Sequence, residues 1–500
     1  FLGFALTCNM IVTGMLLLGG AAVVNGLTGM DISLAAMLIP VGVMIYTLVG
    51  GLKATFVADY MHTVIIFIVI LTFVSMVFFI SPITGGVEGM YNKLVEAASL
   101  NPVLEPTFTP GEPGNAMGAY LTMASAGGLI FGVINIVGNF GTVFVDQAYW
   151  QRAIAAQPSA TVKGFLLGGM CWFAIPFTLA TTMGLTAVAL DVALTPEQVQ
   201  LGLVVPAAAS VLMGEIGAIL VLVMLFMAVT SAGSAELIAV SSLITYDVYR
   251  TYKNPKATGK QLLKVSRGVI VAFGLGMGML AVVLLGMGLS LGFVYLAMGI
   301  LIGSAVIPIA LTITWSRTTR GGAVAGAIIG VMLSLLTWTS VAASEANGVI
   351  DIGSLGGAFP MLYGNVVAIL SSGAICIIIS LAQNKKYDWK ELDQHLSLVT
   401  DDMHVDTAAE LEKRELDEIQ LKKAFKFSLK GGGLLTLIVI IFWPMPLYFS
   451  GYVFDFGFYG LWVGIAIAWV TTASAFIIGL PIIESRHGFA KVFSGKKASA

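Results

Sequence analysis

The chain has 500 residues, of which 58% are hydrophobic and only 10% charged, with a formal net charge of −2. Soluble domains carry roughly a quarter of their residues as charges, so this composition excludes an ordinary soluble protein and offers no basic surface for nucleic acid. A polytopic protein embedded in the lipid bilayer remains.

Hydropathy divides the chain into about twelve apolar spans, each able to cross a hydrocarbon core of ~30 Å. They run 4–24, 32–50, 60–81, 121–148, 163–190, 205–246, 266–286, 289–315, 322–343, 358–382, 432–449 and 457–481. The loops alternate in charge. One set holds Lys53, Arg152, Lys163, the run from Arg250 to Arg267, Arg317, Arg320, the stretch from Lys385 to Lys430, and the tail from Arg486. The other holds Glu88, Glu96, Glu105, Glu112, Asp191, Glu197, Glu345 and Asp351, with Lys93 as the exception among the basic residues. Positive charge stays in the cytoplasm during insertion, so the chain enters its first span from that side. Phe1 already lies in an apolar segment, with no initiator Met, basic n-region or cleavage site, and a natural start further upstream is expected.

Between spans, residues 82–119 form a long outer loop punctuated by Pro102, Pro106, Pro110 and Pro113. Span 205–246 exceeds what a bilayer requires, and Gly214 and Glu215 are expected to divide it. Residues 383–430 form the sizeable polar segment, in which Ala408–Lys426 mixes Glu and Lys at helical spacing, as a solvated cytoplasmic helix does. Cys8, Cys171 and Cys376 lie in apolar spans, too scattered for a metal cluster. No nucleophile–base pair or metal set gathers in one place, so an enzyme is not expected.

Polar groups in hydrocarbon are expensive, which makes those inside spans the functional candidates. In span 121–148, Asn135 and Asn139 sit among glycines, with Gly138-Asn139-Phe140-Gly141-Thr142 near mid-membrane. One reading is a tightly packed helix with Asn as interhelical glue. The other is an unwound segment whose freed carbonyls and amides hold a polar solute, and the bracketing of Asn139 by glycines favours it. At the end of that span, Asp146 and Arg152 are the charges available for a gate ion pair, flanked by the interfacial aromatics Tyr149 and Trp150. Span 205–246 carries Ala228, Thr230, Ser231, Ser234 and Glu236. Hydroxyls near a helical carbonyl suit a small hard cation, although each also bonds readily to its own helix. Glu236 at such depth is either protonated, and so a proton site, or paired on a neighbouring helix. Asp59, after Gly50-Gly51, reads as a helix N-cap or as a station on a cation path.

These motifs resemble the sodium/solute symporter family. Tyr46-Thr47, Gly50-Gly51-Leu52 and Ala54 are similar to its first signature, with Pro40 as a departure. Gln151-Arg152-Ala153 and Thr245, Asp247 and Tyr249 are similar to further landmarks. Within the family the chain most resembles the urea active transporters of fungi and plants, through Gly51–Phe56, Asp59–Val64, Asn139–Arg152 and Ser234–Ser242.

The resemblance implies an all-α, leucine-transporter-type fold of two inverted repeats. Residues 1–81 would then be the last three helices of the first repeat, whose first two helices would be missing from this chain. Residues 82–120 would be an extracellular loop and 121–315 the second repeat. Residues 316–382 would add two helices, 383–430 a cytoplasmic segment, and 431–500 two final helices and a tail. The resemblance places Asn139 at a substrate-contacting position, with Thr142 where the family has a gating aromatic and Phe140 as its substitute. It assigns Ala228 and Ser231 to a sodium site from which Ala232 removes a second hydroxyl, and Asp59 to the ion's inner exit. The function implied is import of urea by symport with H+ or Na+, without a cofactor, at the plasma membrane. Polyamine symport is the nearest rival; a passive urea channel and a solute sensor signalling through 383–430 are rivals of other classes.

Overall fold

The computed structural model describes residues 1–102, 120–121, 125–156, 158–388 and part of 426–437. The expected spans 432–449 and 457–481 and the Ala408–Lys426 helix lie essentially outside those residues. Among the described residues, nine helices are long and apolar enough to cross a membrane, and every crossing element is helical. Hydrocarbon cannot solvate a free backbone amide, so each span must satisfy its own N–H and C=O groups.

The first helix, α1 (Leu2–Thr28), ends at Gly29 with φ 74°, and Asp31 caps α2 (Ile32–Ser75) by accepting from the Leu34 amide at 2.9 Å. Gly51, with φ 57° and ψ −165°, interrupts α2 and separates two membrane-length halves, Ile32–Leu52 and Thr55–Ile80. The outer loop begins as a helix, α3 (Gly86–Leu100), which buries Met90 and Leu94. Then follow α4 (Ala126–Val145), α5 (Gln147–Ala155) and α6 (Pro158–Leu179), the last joined through a π-helical segment to α7 (Leu185–Ala189). Together α6 and α7 cover the expected span 163–190, where Ile175–Ala189 is an apolar helix shorter than the nine membrane-length ones.

After a short α8 (Pro196–Gln200), the long span divides where expected. Gly214, with φ 61°, separates α9 (Val204–Met213) from α10 (Glu215–Ser242), which continues in π-helical turns to Lys253. The remaining helices are α11 (Gly259–Gly286), α12 (Leu291–Ile302), α13 (Val306–Thr314), α14 (Arg320–Glu345), α15 (Ile352–Leu355) and α16 (Ala358–Gln383). A single 3-10 turn, Gly303–Ala305, joins α12 to α13.

Two packed groups result. In one, α10 lies against α1, α2 and α11, with Ala21, Ala36, Val229 and Met277 buried between them. In the other, α4 lies against α12 and α16, and α14 against α16. The first helix bridges the groups, since Cys8 packs with Val145, Met298, Ile302 and Ala305. Apolar side chains such as Ile45, Val49 and Leu370 stay exposed on the outside, as a lipid-facing surface requires.

The unwound segment expected at Gly138–Gly141 is not found. Helix α4 runs without interruption from Ala126 to Val145, and the break falls at Asp146 instead. The reason is steric. Gly138 and Gly141 are three residues apart and so share one face, which lies directly on α12. A Cβ at Gly138 would come 2.9 Å from Met298 Cε, and one at Gly141 would come 2.8 Å from Ile302 Cγ1. The glycines serve close helix approach.

Gly141→Ala should therefore lower the thermal midpoint of the purified protein, since overpacking costs about 1–3 kcal/mol. Adding Ile302→Ala should recover part of that loss. A double variant whose midpoint equals the sum of the single effects would contradict this packing role.

Candidate functional site

Among the described residues, the polar residues expected to be functional fall into three groupings. The first is on α4, where Asn139 Nδ2 donates to the backbone oxygen of Asn135 at 2.9 Å and to its Oδ1 at 2.7 Å. Tyr295 of α12 donates its phenol hydroxyl to the same Asn135 Oδ1, and its ring stacks on Phe131 with centroids 6.2 Å apart. Thr142 bonds back to the Asn139 carbonyl at 2.9 Å. Gly141 packs on α12, while Phe140 is exposed and stacks on Phe144. Asn135 and Asn139 thus stand one turn apart on an intact helix, and the polar groups offered here are side chains rather than freed backbone. Tyr295 and Phe131 were not singled out from sequence, although a phenol inside span 289–315 was a visible signal.

The second grouping surrounds Asp59. It lies within the second half of α2, beyond its start at Thr55, so the N-cap reading fails. Ser231 Oγ of α10 donates to Asp59 Oδ1 at 2.6 Å, and Arg152 Nη2 of α5 pairs with Asp59 Oδ2 at 2.7 Å. The Arg152 guanidinium also lies 5.6 Å from the Phe56 ring centroid. The expected Asp146–Arg152 pair is therefore replaced by Asp59–Arg152, because Asp146 turns its carboxylate the other way, onto α1 and its own helix cap. Ala228 stands one turn before Ser231 on α10, exposed and without a side-chain oxygen.

The third grouping contains Asp146, Glu236 and a residue not singled out from sequence, Asn9 of α1. They are 2%, 3% and 0% exposed. Asn9 Nδ2 donates to Asp146 Oδ1 at 2.8 Å and to Glu236 Oε2 at 2.6 Å. Asp146 Oδ1 also accepts from the Ala148 amide at 2.7 Å and so caps α5. Trp150 Nε1 donates to the Phe144 carbonyl at 3.0 Å, and Gln151 Nε2 to the Ala239 carbonyl at 3.2 Å, which fixes α5 against α4 and α10. Glu236 is five residues, or roughly 7.5 Å, along α10 from Ser231, and joins Asp146 instead of the Asp59 grouping. A lone Asn in the apolar span 4–24 was the signal for Asn9.

The profile of the sodium:solute symporter family matches residues 4–330. The chain belongs to that family of secondary transporters and is a multi-pass membrane protein. It is 49% identical over 501 residues to the urea-proton symporter DUR3 of Oryza sativa subsp. japonica, spanning 99% of this chain and 68% of that protein. To the probable urea active transporter 1 of Schizosaccharomyces pombe it is 41% identical, spanning 100% of this chain and 74% of that protein. The urea active transporter of Saccharomyces cerevisiae is 36% identical, over 99% of this chain and 75% of its own length. A solved Na+-coupled sialic acid symporter in a substrate-bound, outward-open state shares the fold, with a TM-score of 0.54 and 18% identity over 75% of this chain and 74% of that one.

If the Asp59–Arg152 pair closes the inner side, Arg152→Gln should open it. A Ser231→Cys thiol should then react several-fold faster with a membrane-impermeant maleimide applied from the cytoplasmic side. An unchanged rate would show that the pair does not bar that path.

Proposed function

We propose that this protein imports urea across the plasma membrane by symport with a proton, through alternating access. The observation that carries this reading is the 49% identity to a urea-proton symporter along nearly the whole chain. The chemistry on α4 agrees with it. Urea offers one carbonyl acceptor and two amide donor groups, and Asn135, Asn139 and Tyr295 offer two carboxamides and a phenol hydroxyl. In this reading α4–α13 correspond to the second inverted repeat, and α1 with the two halves of α2 to the end of the first.

The choice of a proton rests on charge. Arg152 already neutralises Asp59 beside Ser231. A sodium ion held by Asp59, the Ser231 hydroxyl and the Ala228 carbonyl would share that carboxylate with a guanidinium, and Ala232 supplies no further oxygen ligand. Glu236, by contrast, meets a second carboxylate. Of the coupling residues named from sequence, Glu236 is then the proton carrier, and Ala228, Ser231 and Asp59 belong to the gate that opens and closes around it.

Labelled-urea uptake by the full-length protein, in cells lacking their own urea transporter, tests this directly. Uptake should rise on acidification, concentrate urea, and ignore sodium. Sodium dependence would move the ion to Ala228 and Ser231, and flux without accumulation would mean a channel. Asn139→Ala should raise the half-saturating urea concentration about tenfold, the ~1.4 kcal/mol of one lost hydrogen bond. An unchanged value would remove Asn139 from the substrate site.

A further inference from the structure

We infer that Asn9, Asp146 and Glu236 together form the proton-carrying site, with one proton carried on one of the two carboxyl groups and Asn9 as its switchable partner. The inference rests on the reading of the protein as a proton symporter and gives that proton an address.

Charge is the first argument. Two carboxyl groups meet on one amide in a space closed to solvent. Like charges at such range disfavour double ionisation, and a neutral amide cannot compensate them. Arg152, the cation that acts on both, is engaged with Asp59 at 2.7 Å. The other titratable groups facing the pair are the Cys8 thiol of α1 and the Tyr149 phenol of α5, neither of which carries positive charge.

Asn9 supplies the second argument. Its Nδ2 serves both carboxylates, yet its Oδ1 is buried without a hydrogen-bond partner. A buried polar atom left unpaired is unfavourable, and what this one lacks is a donor. A carboxyl O–H is such a donor. A half-turn of the carboxamide exchanges its NH2 for its oxygen, so the one side chain can donate to an ionised carboxylate or accept from a protonated carboxyl group. On loading, one O–H bond forms with a proton from the outer side; on release inward the same bond breaks, and nothing is oxidised or reduced.

Position gives the site its consequence. Asp146 is also the cap of α5, and α5 carries Arg152 to Asp59. A change of charge at the pair therefore acts on the helix that holds the Asp59–Ser231 contact.

Infrared difference spectra of the full-length protein in lipid nanodiscs, recorded between acid and neutral pH, read the site without requiring transport. We expect a pH-dependent carbonyl band of a protonated carboxyl group that is lost in Glu236→Gln and in Asp146→Asn and persists in Asp59→Asn. In Asn9→Leu, which keeps both acids, the band should shift in frequency and in titration midpoint. The amide bands of the same samples report whether each variant is folded, and either acid variant alone decides the matter. A band that survives in either folded acid variant, or no such band in the unmodified protein, overturns the assignment. Failure of the urea reading shows separately, as a protein with the band that does not accumulate labelled urea.

Discussion

The Asn9 carboxamide, donating at once to Asp146 and Glu236, is the contact on which the rest of the arrangement depends. It joins three elements that have no sequence proximity: α1, the α4–α5 joint and α10. Ionisable groups inside a membrane protein are expensive and persist only where neighbours or a ligand balance them. Here the balance is struck at the place where a helix breaks, so electrostatics and backbone geometry are tied together.

From that point the contacts run around α5. Asp146 caps its first turn, Trp150 and Gln151 hold its sides to α4 and α10, and Arg152 reaches across to Asp59. Asp59 in turn accepts from Ser231, which returns the path to α10 five residues before Glu236. Helix α5 is thus held by carboxylates at both ends, Asp146 at its first turn and Asp59 through Arg152 in its last. On α4, above the joint, Asn135, Asn139 and Tyr295 form the polar patch read as the substrate site. A short helix held in this way is suited to pass a change at one clamp to the other, because packed interfaces shift between discrete arrangements rather than bending continuously.

Much of this was legible in the sequence because hydrocarbon constrains it so tightly. Spans of sufficient length had to be helices, and Gly214 with Glu215 marked a true division. The break near Asn139 was misplaced because glycine has two uses in membrane helices, and spacing alone did not separate them. Gly138 and Gly141 face Met298 and Ile302, a fact that belongs to α12 and not to α4. The break at Asp146 did have a local signal, since Asp is a strong N-cap ahead of Gln147-Ala148. The Asp59–Arg152 pair had none, because residues on α2 and α5 meet only through the tertiary fold. Asn9 was visible as a polar residue in an apolar span, but its partners were not.

The most direct test of this account is a double-mutant cycle between Asn9→Ala and Arg152→Gln, read as the thermal midpoint of the purified full-length protein. If both contacts clamp the same short helix, releasing one leaves the other little to hold. The combined loss should then fall well short of the sum of the single losses. Strict additivity, within the ~0.3–0.5 kcal/mol expected for independent sites, would show that the two clamps act separately and would contradict the coupling drawn here.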